Sequence, residues 1–133
     1  MLKGQPGCVN VNSCCVDVRD VADLHMRCMT NSAAKSERFL ATVGDSLWMV
    51  EVAELLRQRL GAAAAKVSTD VWPDEQVRIA GETNAQLKAV VPLLNYDMNA
   101  TGKKAERLLG WTPRSREEAI VACAESLVRL GLV

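Results

Sequence analysis

Apolar and polar positions alternate from Cys14 to Arg19 and then change period. Cys14, Val16 and Val18 share one side, and Cys15, Asp17 and Arg19 share the other, which is the two-residue repeat of a strand. From Asp20 the apolar spacing becomes helical, with Val21, Leu24, His25 and Cys28 on one face. The pattern predicts a strand that turns directly into a helix over about Val21–Met29. Asp20 is the expected N-cap, because a short carboxylate accepts from the N–H groups of the first turn. Asp23 adds charge favourable to the helix dipole. Arg38–Val43 (RFLATV) reads as a second strand, so residues 14–44 form an expected βαβ unit with parallel strands.

The later chain is patterned for helices. Met49, Val52, Ala53, Leu56 and Leu60 make a stripe within a helix expected over Ser46–Leu60, capped by Asp45 or Ser46 and ended by Gly61. A short strand is expected at Lys66–Val71, and Pro73 opens a helix to about Ile79 or beyond. Residues 81–96 alternate poorly and contain Pro92, which predicts loop with at most one turn of helix. A helix from Asn99 or Thr101 ends at Leu109, with Gly110 and Trp111 as its C-terminal cap. Ser115 and Glu118 have capping-box spacing. The helix behind them buries Ile120, Cys123, Ala124, Leu127 and Val128.

Composition narrows the class without naming a chemistry. With 133 residues, 49% of them apolar, the chain is long enough to bury a core. Sixteen basic and sixteen acidic residues cancel, which disfavours nucleic acid or an anionic membrane as a partner. Neither a signal-peptide pattern nor a membrane-length apolar run is present in the sequence, so a cytoplasmic setting with reduced cysteines is expected.

No catalytic, cofactor-binding or metal-ligating residue is assigned from the residues. The eight glycines lack the spacing of a dinucleotide loop, and Gly102-Lys103-Lys104 lacks the upstream glycine of a phosphate loop. Cys14, Cys15, His25 and Cys28 offer zinc donors, but there is no Cys-x-x-Cys pair and neighbouring strand cysteines diverge. His25 is expected in the core or at its boundary. Asp17 and Arg19, two apart, are expected to pair; Asp20, Ser115 and Glu118 are expected caps. Trp72, after a predicted strand and before Pro73, is the candidate pocket-lining residue.

The stretches VDVRDVADLHMRCMT (16–30), ERFLATVG (37–44), the helix ending RLG (59–61) and KKAERLLGWTPRSREEAIVACAESLVRLGLV (103–133) carry a family resemblance. They resemble the C-terminal part of extended short-chain dehydrogenases/reductases, the NAD(P)-dependent epimerase/dehydratase group, and within it dihydroflavonol-reductase-like enzymes. LKGQPG (2–7) also resembles the loop before that first strand, and residues 81–100 match least.

The resemblance implies an α/β fold class, a fragment of a Rossmann-type domain contributing its last βαβ unit, plus a mostly helical substrate-binding lobe. Residues 1–13 are then a leading loop, 14–44 the last strand–helix–strand, and 45–133 the substrate-lobe segment. The implied activity is reduction of a carbonyl substrate with NADP or NAD in the full-length family. The family's glycine-rich loop and catalytic Ser, Tyr and Lys all precede the matched region. A Tyr-x-x-x-Lys pair cannot occur here, since the only tyrosine is Tyr96 and position 100 is Ala100. No cofactor is therefore expected to bind this chain alone. The alternative is a non-enzymatic interaction module that docks onto a separate Rossmann subunit or self-associates through unpaired strand edges.

Overall fold

The computed structural model describes residues 1–4 and 7–133; Gln5 and Pro6 of the expected leading loop lie outside the described residues. Helices dominate: α1 (Val18–Thr30), α2 (Met49–Leu60), α3 (Asp74–Thr83), α4 (Ala85–Val90), α5 (Lys103–Leu109) and α6 (Arg116–Arg129). The sheet is a two-residue antiparallel ladder. In it β1 (Asn12–Ser13) pairs with β2 (Leu47–Trp48), Asn12 opposite Trp48 and Ser13 opposite Leu47. One isolated parallel bridge joins Cys8 to Val71.

This corrects the expected α/β class. Among the described residues there is no βαβ unit of a Rossmann sheet. Residues 14–17 are extended but unladdered, and the helix begins three residues before Val21, at Val18. An extended approach to an N-cap has the same two-residue alternation as a strand over so short a span, and Asp17 supplies the cap. Val18, expected on one strand side with Cys14 and Val16, is 77% exposed in the first helical turn. Arg38–Val43 likewise forms no ladder; its link to the first segment is one bond from Val43 N–H to the Cys15 carbonyl at 3.2 Å.

Two small cores hold the helices. Ala53 and Leu56 of α2 meet Ala124 of α6, with Cys8, Ala64 and Val67 beside them. The alanines remove side-chain bulk, so the two helices pack closely. The 3₁₀ turn Gly61–Ala64 follows α2, and it buries Ala64 fully. The second core joins Leu24 of α1, Ala105 and Leu109 of α5, and Trp111. Gly110 reverses the chain in the left-handed region at φ 61°, which turns Trp111 inward to 1% exposure.

Residues 81–96 hold more helix than the pattern predicts. Asn84 caps α4 by accepting from Gln86 N–H at 2.9 Å and Leu87 N–H at 3.3 Å. Gly81 is buried within α3, where an added Cβ would lie 3.3 Å from the Lys88 backbone. The missing side chain lets α3 and α4 approach. Lys66–Val71 forms no strand beyond the bridge at Val71, with Cys8 N–H donating to the Asp70 carbonyl at 2.7 Å.

Candidate functional site

The charged cluster at the start of α1 is built from two segments far apart in sequence. Asp17 is the N-cap: its carboxylate accepts from Arg19 N–H at 2.8 Å and from the Arg19 guanidinium at 2.8 and 2.6 Å. Those bonds hold the Asp17 carboxyl well below the usual carboxylate range and raise Arg19 in turn. The expected Asp17–Arg19 pairing is present, made across a helix start and not along a strand face.

Asp20 is not the cap. It sits in the first turn of α1 with its side chain 7% exposed, and it accepts from Arg114 N–H at 2.8 Å and from the Arg114 guanidinium. Its main-chain carbonyl accepts from Trp111 Nε1 at 3.0 Å. The N-cap is Asp17, one residue before Val18, and the carboxylate at position 20, inside the first turn, is bonded to Arg114 in the loop before α6. Asp20 is thus the buried tie between α1 and the 111–114 segment.

Ser115 Oγ accepts from Glu118 N–H at 3.1 Å, the forward half of a capping box. The Glu118 carboxylate turns to Arg114 at 3.4 Å. Arg27 adds a third tie from α1, donating to the Leu109 and Gly110 carbonyls at 3.1 and 2.8 Å and satisfying the end of α5. Every carboxylate within this cluster faces an arginine. Its chemistry is that of a clamp, since the acceptor oxygens of these carboxylates are taken up by guanidinium groups of the same cluster.

The other sequence candidates are dispersed. His25 is exposed, its Nδ1 2.7 Å from the Val21 carbonyl of its own helix, which corrects the expected core or boundary position. Cys14 Sγ lies 3.5 Å from the Met98 carbonyl and Cys15 Sγ 3.8 Å from that of Arg116, while Cys28 packs against the Trp111 core. Burial pushes the Cys15 thiol up. Among the described residues no three His, Cys, Asp or Glu side chains are placed to hold a metal. Trp72 is half-buried with its indole against Gly7. Lys104 is engaged by Glu37 at 2.5 Å and the Arg38 carbonyl at 3.0 Å.

The feature that sequence reasoning missed is an apolar groove of about 600 Å³ beside α6. Leu2, Val16, Leu56, Ile120, Cys123 and Leu127 line it with the two chain ends, Met1 and Val133, and Lys3 carries the single charged side chain among its described walls. Trp72 does not contribute to it. A second hollow shares Val16, Ala119, Cys123 and Leu127 with it and runs on to Val18, Arg19 and Arg129. The helical spacing of Ile120, Cys123 and Leu127 was legible, but it reads equally as a face covered by the chain's own core. Among the described residues no helix is long and apolar enough to cross a membrane.

No protein-family model and no curated protein matches the chain. A solved structure does: the crystal structure of gox2253 superposes with a TM-score of 0.72 at 16% sequence identity. The match covers 96% of this chain and 40% of that one. At that identity the likeness establishes a shared fold. The chain thus spans about two-fifths of the length of the protein it matches.

Proposed function

We propose that the chain is the helical C-terminal portion of a longer NAD(P)-dependent oxidoreductase acting on a carbonyl or hydroxyl substrate, of the dihydroflavonol-reductase-like kind, and that it has no such activity alone. The observation that carries the reading is that nearly the whole chain fits within two-fifths of a larger fold. The resemblance of residues 16–30 and 103–133 to that family supports it, and those stretches build the clamp in which Asp20, Trp111 and Arg114 join α1 to the α6 approach. The glycine-rich loop and the Tyr-x-x-x-Lys pair that would bind nucleotide and move the proton are not encoded in this sequence. The missing portion would supply NADP or NAD binding and the reacting groups; this portion would help enclose the substrate.

The test is calorimetric titration of NADH and NADPH against the purified chain. No saturable heat is expected with either. Micromolar binding of either nucleotide would overturn the reading.

A further inference from the structure

We infer that the α3–α4 hairpin, with the 3₁₀ turn Val91–Leu93 that follows it, is a hinged flap that opens from the rest of the chain as one unit, held shut by a polar latch at its neck. Its packing turns inward. α3 packs on α4 and on that 3₁₀ turn, and Gly81 stands against the Lys88 backbone and the Val91 side chain. Val77, fully buried, lies one helical turn before Gly81 on the same face of α3. Among the described residues neither core takes a side chain from 74–93. The first draws on Cys8, α2, Ala64, Val67 and α6, and the second on α1, α5 and Trp111. Lifting the hairpin leaves both intact.

Hydrogen bonds at its two ends join the hairpin to the rest, and segment 8–12 holds both ends. On the entry side Trp72 N–H donates to the Cys8 carbonyl at 2.9 Å, just before Pro73. On the exit side Asn95 N–H donates to the Asn10 carbonyl at 2.9 Å, and Met98 N–H donates to the Asn12 side chain at 2.9 Å. Asn95 then closes the neck with its side chain: its amide oxygen accepts from Asn10 Nδ2, and its Nδ2 donates to the Asp74 carboxylate at the start of α3. One residue thus ties the exit, the entry and the 8–12 segment together. It does so from the left-handed region, at φ 59°, where asparagine is better tolerated than most residues.

Both of those side-chain bonds are exposed, so water replaces them at small cost. A segment that shares few apolar contacts with its surroundings and is held by exposed hydrogen bonds opens at a lower free energy than the packed cores. α3 has 10 residues and α4 has 6, too few to stay helical unsupported, so release at the neck exposes their amides together.

The test is residue-resolved hydrogen exchange by NMR on the full chain in sub-denaturing urea, repeated on Asn95→Gly and Asn10→Ala. Glycine suits the positive φ and removes both side-chain bonds, so the variant loosens the latch without straining the turn. The amides of α3 and α4 should exchange with one shared urea dependence, at least about tenfold faster than the slowest amides of α2 and α6. Asn95→Gly should speed α3 and α4 together by at least about fivefold and leave α2, α5 and α6 unchanged; Asn10→Ala, which removes one of the two bonds, should speed them less. Amides in α3 and α4 that exchange as slowly as those of α2 and α6 would show that the hairpin opens only when the whole chain unfolds, and would overturn the flap. An Asn95→Gly effect that is absent, or spread equally over all the helices, would overturn the latch.

Discussion

Replacing the two aspartates at the start of α1 one at a time separates a cap from a buried ion pair. Asp17 caps the helix and is paired with an arginine whose side chain is 54% exposed; Asp20 is paired with Arg114, 36% exposed, and accepts that residue's main-chain N–H as well. Asp17→Asn keeps an oxygen in the capping position. Its cost is the screened Arg19 pair, about 0 to 1 kcal/mol. Asp17→Ala also loses the cap, for a total of roughly 1 to 2 kcal/mol.

Asp20 has no such rescue. Asp20→Ala leaves the Arg114 N–H without its acceptor in a part-buried setting, roughly 1 to 3 kcal/mol, and adds about 1 kcal/mol for a half-screened ion pair. Asp20→Asn retains one oxygen, but its amide NH₂ then faces the guanidinium, donor against donor, so about 2 to 3 kcal/mol is lost. For 133 residues each kcal/mol moves the melting midpoint by roughly 3 to 5 °C, so Asp20→Asn should lower Tm by about 6 to 15 °C. Urea unfolding of the four variants, checked for coincidence of fluorescence and circular dichroism, reads the ranking. Near-complete rescue by Asn at position 20, with none at position 17, would refute the assignment of cap and pair.

Three further outcomes follow from particular contacts. Gly102→Ala should destabilise by more than about 1 kcal/mol, although its φ of −86° suits any residue, because the new Cβ would lie 2.4 Å from the Thr42 carbonyl; an unchanged urea midpoint would contradict this close approach. The Asp17 carboxyl is held low by Arg19, so it contributes stability above about pH 4 that fades as the pH falls toward its folded value; the deficit of Asp17→Asn should shrink on acidification, and a deficit constant from pH 7 to pH 2 would contradict the pairing. Elemental analysis of tag-free protein should find zinc well below one per chain, and one zinc per chain lost on Cys28→Ser would reverse that expectation.

The helices were legible where their ends carry local chemistry. Gly61 and Gly110 adopt positive φ at the ends of α2 and α5, and the Ser115 cap sets the start of α6, each decided by residues within one turn. What failed depended on distant partners. Asp17 and Asp20 are both good caps by composition, and only Arg114, 94 residues from Asp20, draws the second into a buried pair. The strands failed for a related reason: alternation over six residues describes any extended segment, and a ladder needs a neighbour that the described residues do not provide for 14–19 or 38–43. Asn84 was a visible signal for α4, obscured by Pro92, which the structure accommodates in the 3₁₀ turn Val91–Leu93. The groove was illegible because Ile120, Cys123 and Leu127 look alike whether their face meets the chain's own core or a partner.

The central claim, that these residues are the C-terminal portion of a longer reductase, is tested most directly by sequencing the transcript upstream of the Met1 codon and sizing the protein in its native cells. The account predicts an in-frame coding region that supplies a glycine-rich dinucleotide loop and a Tyr-x-x-x-Lys pair, and a native protein well above 14.5 kDa. An in-frame stop codon directly upstream, with a native protein of 14.5 kDa, would contradict it.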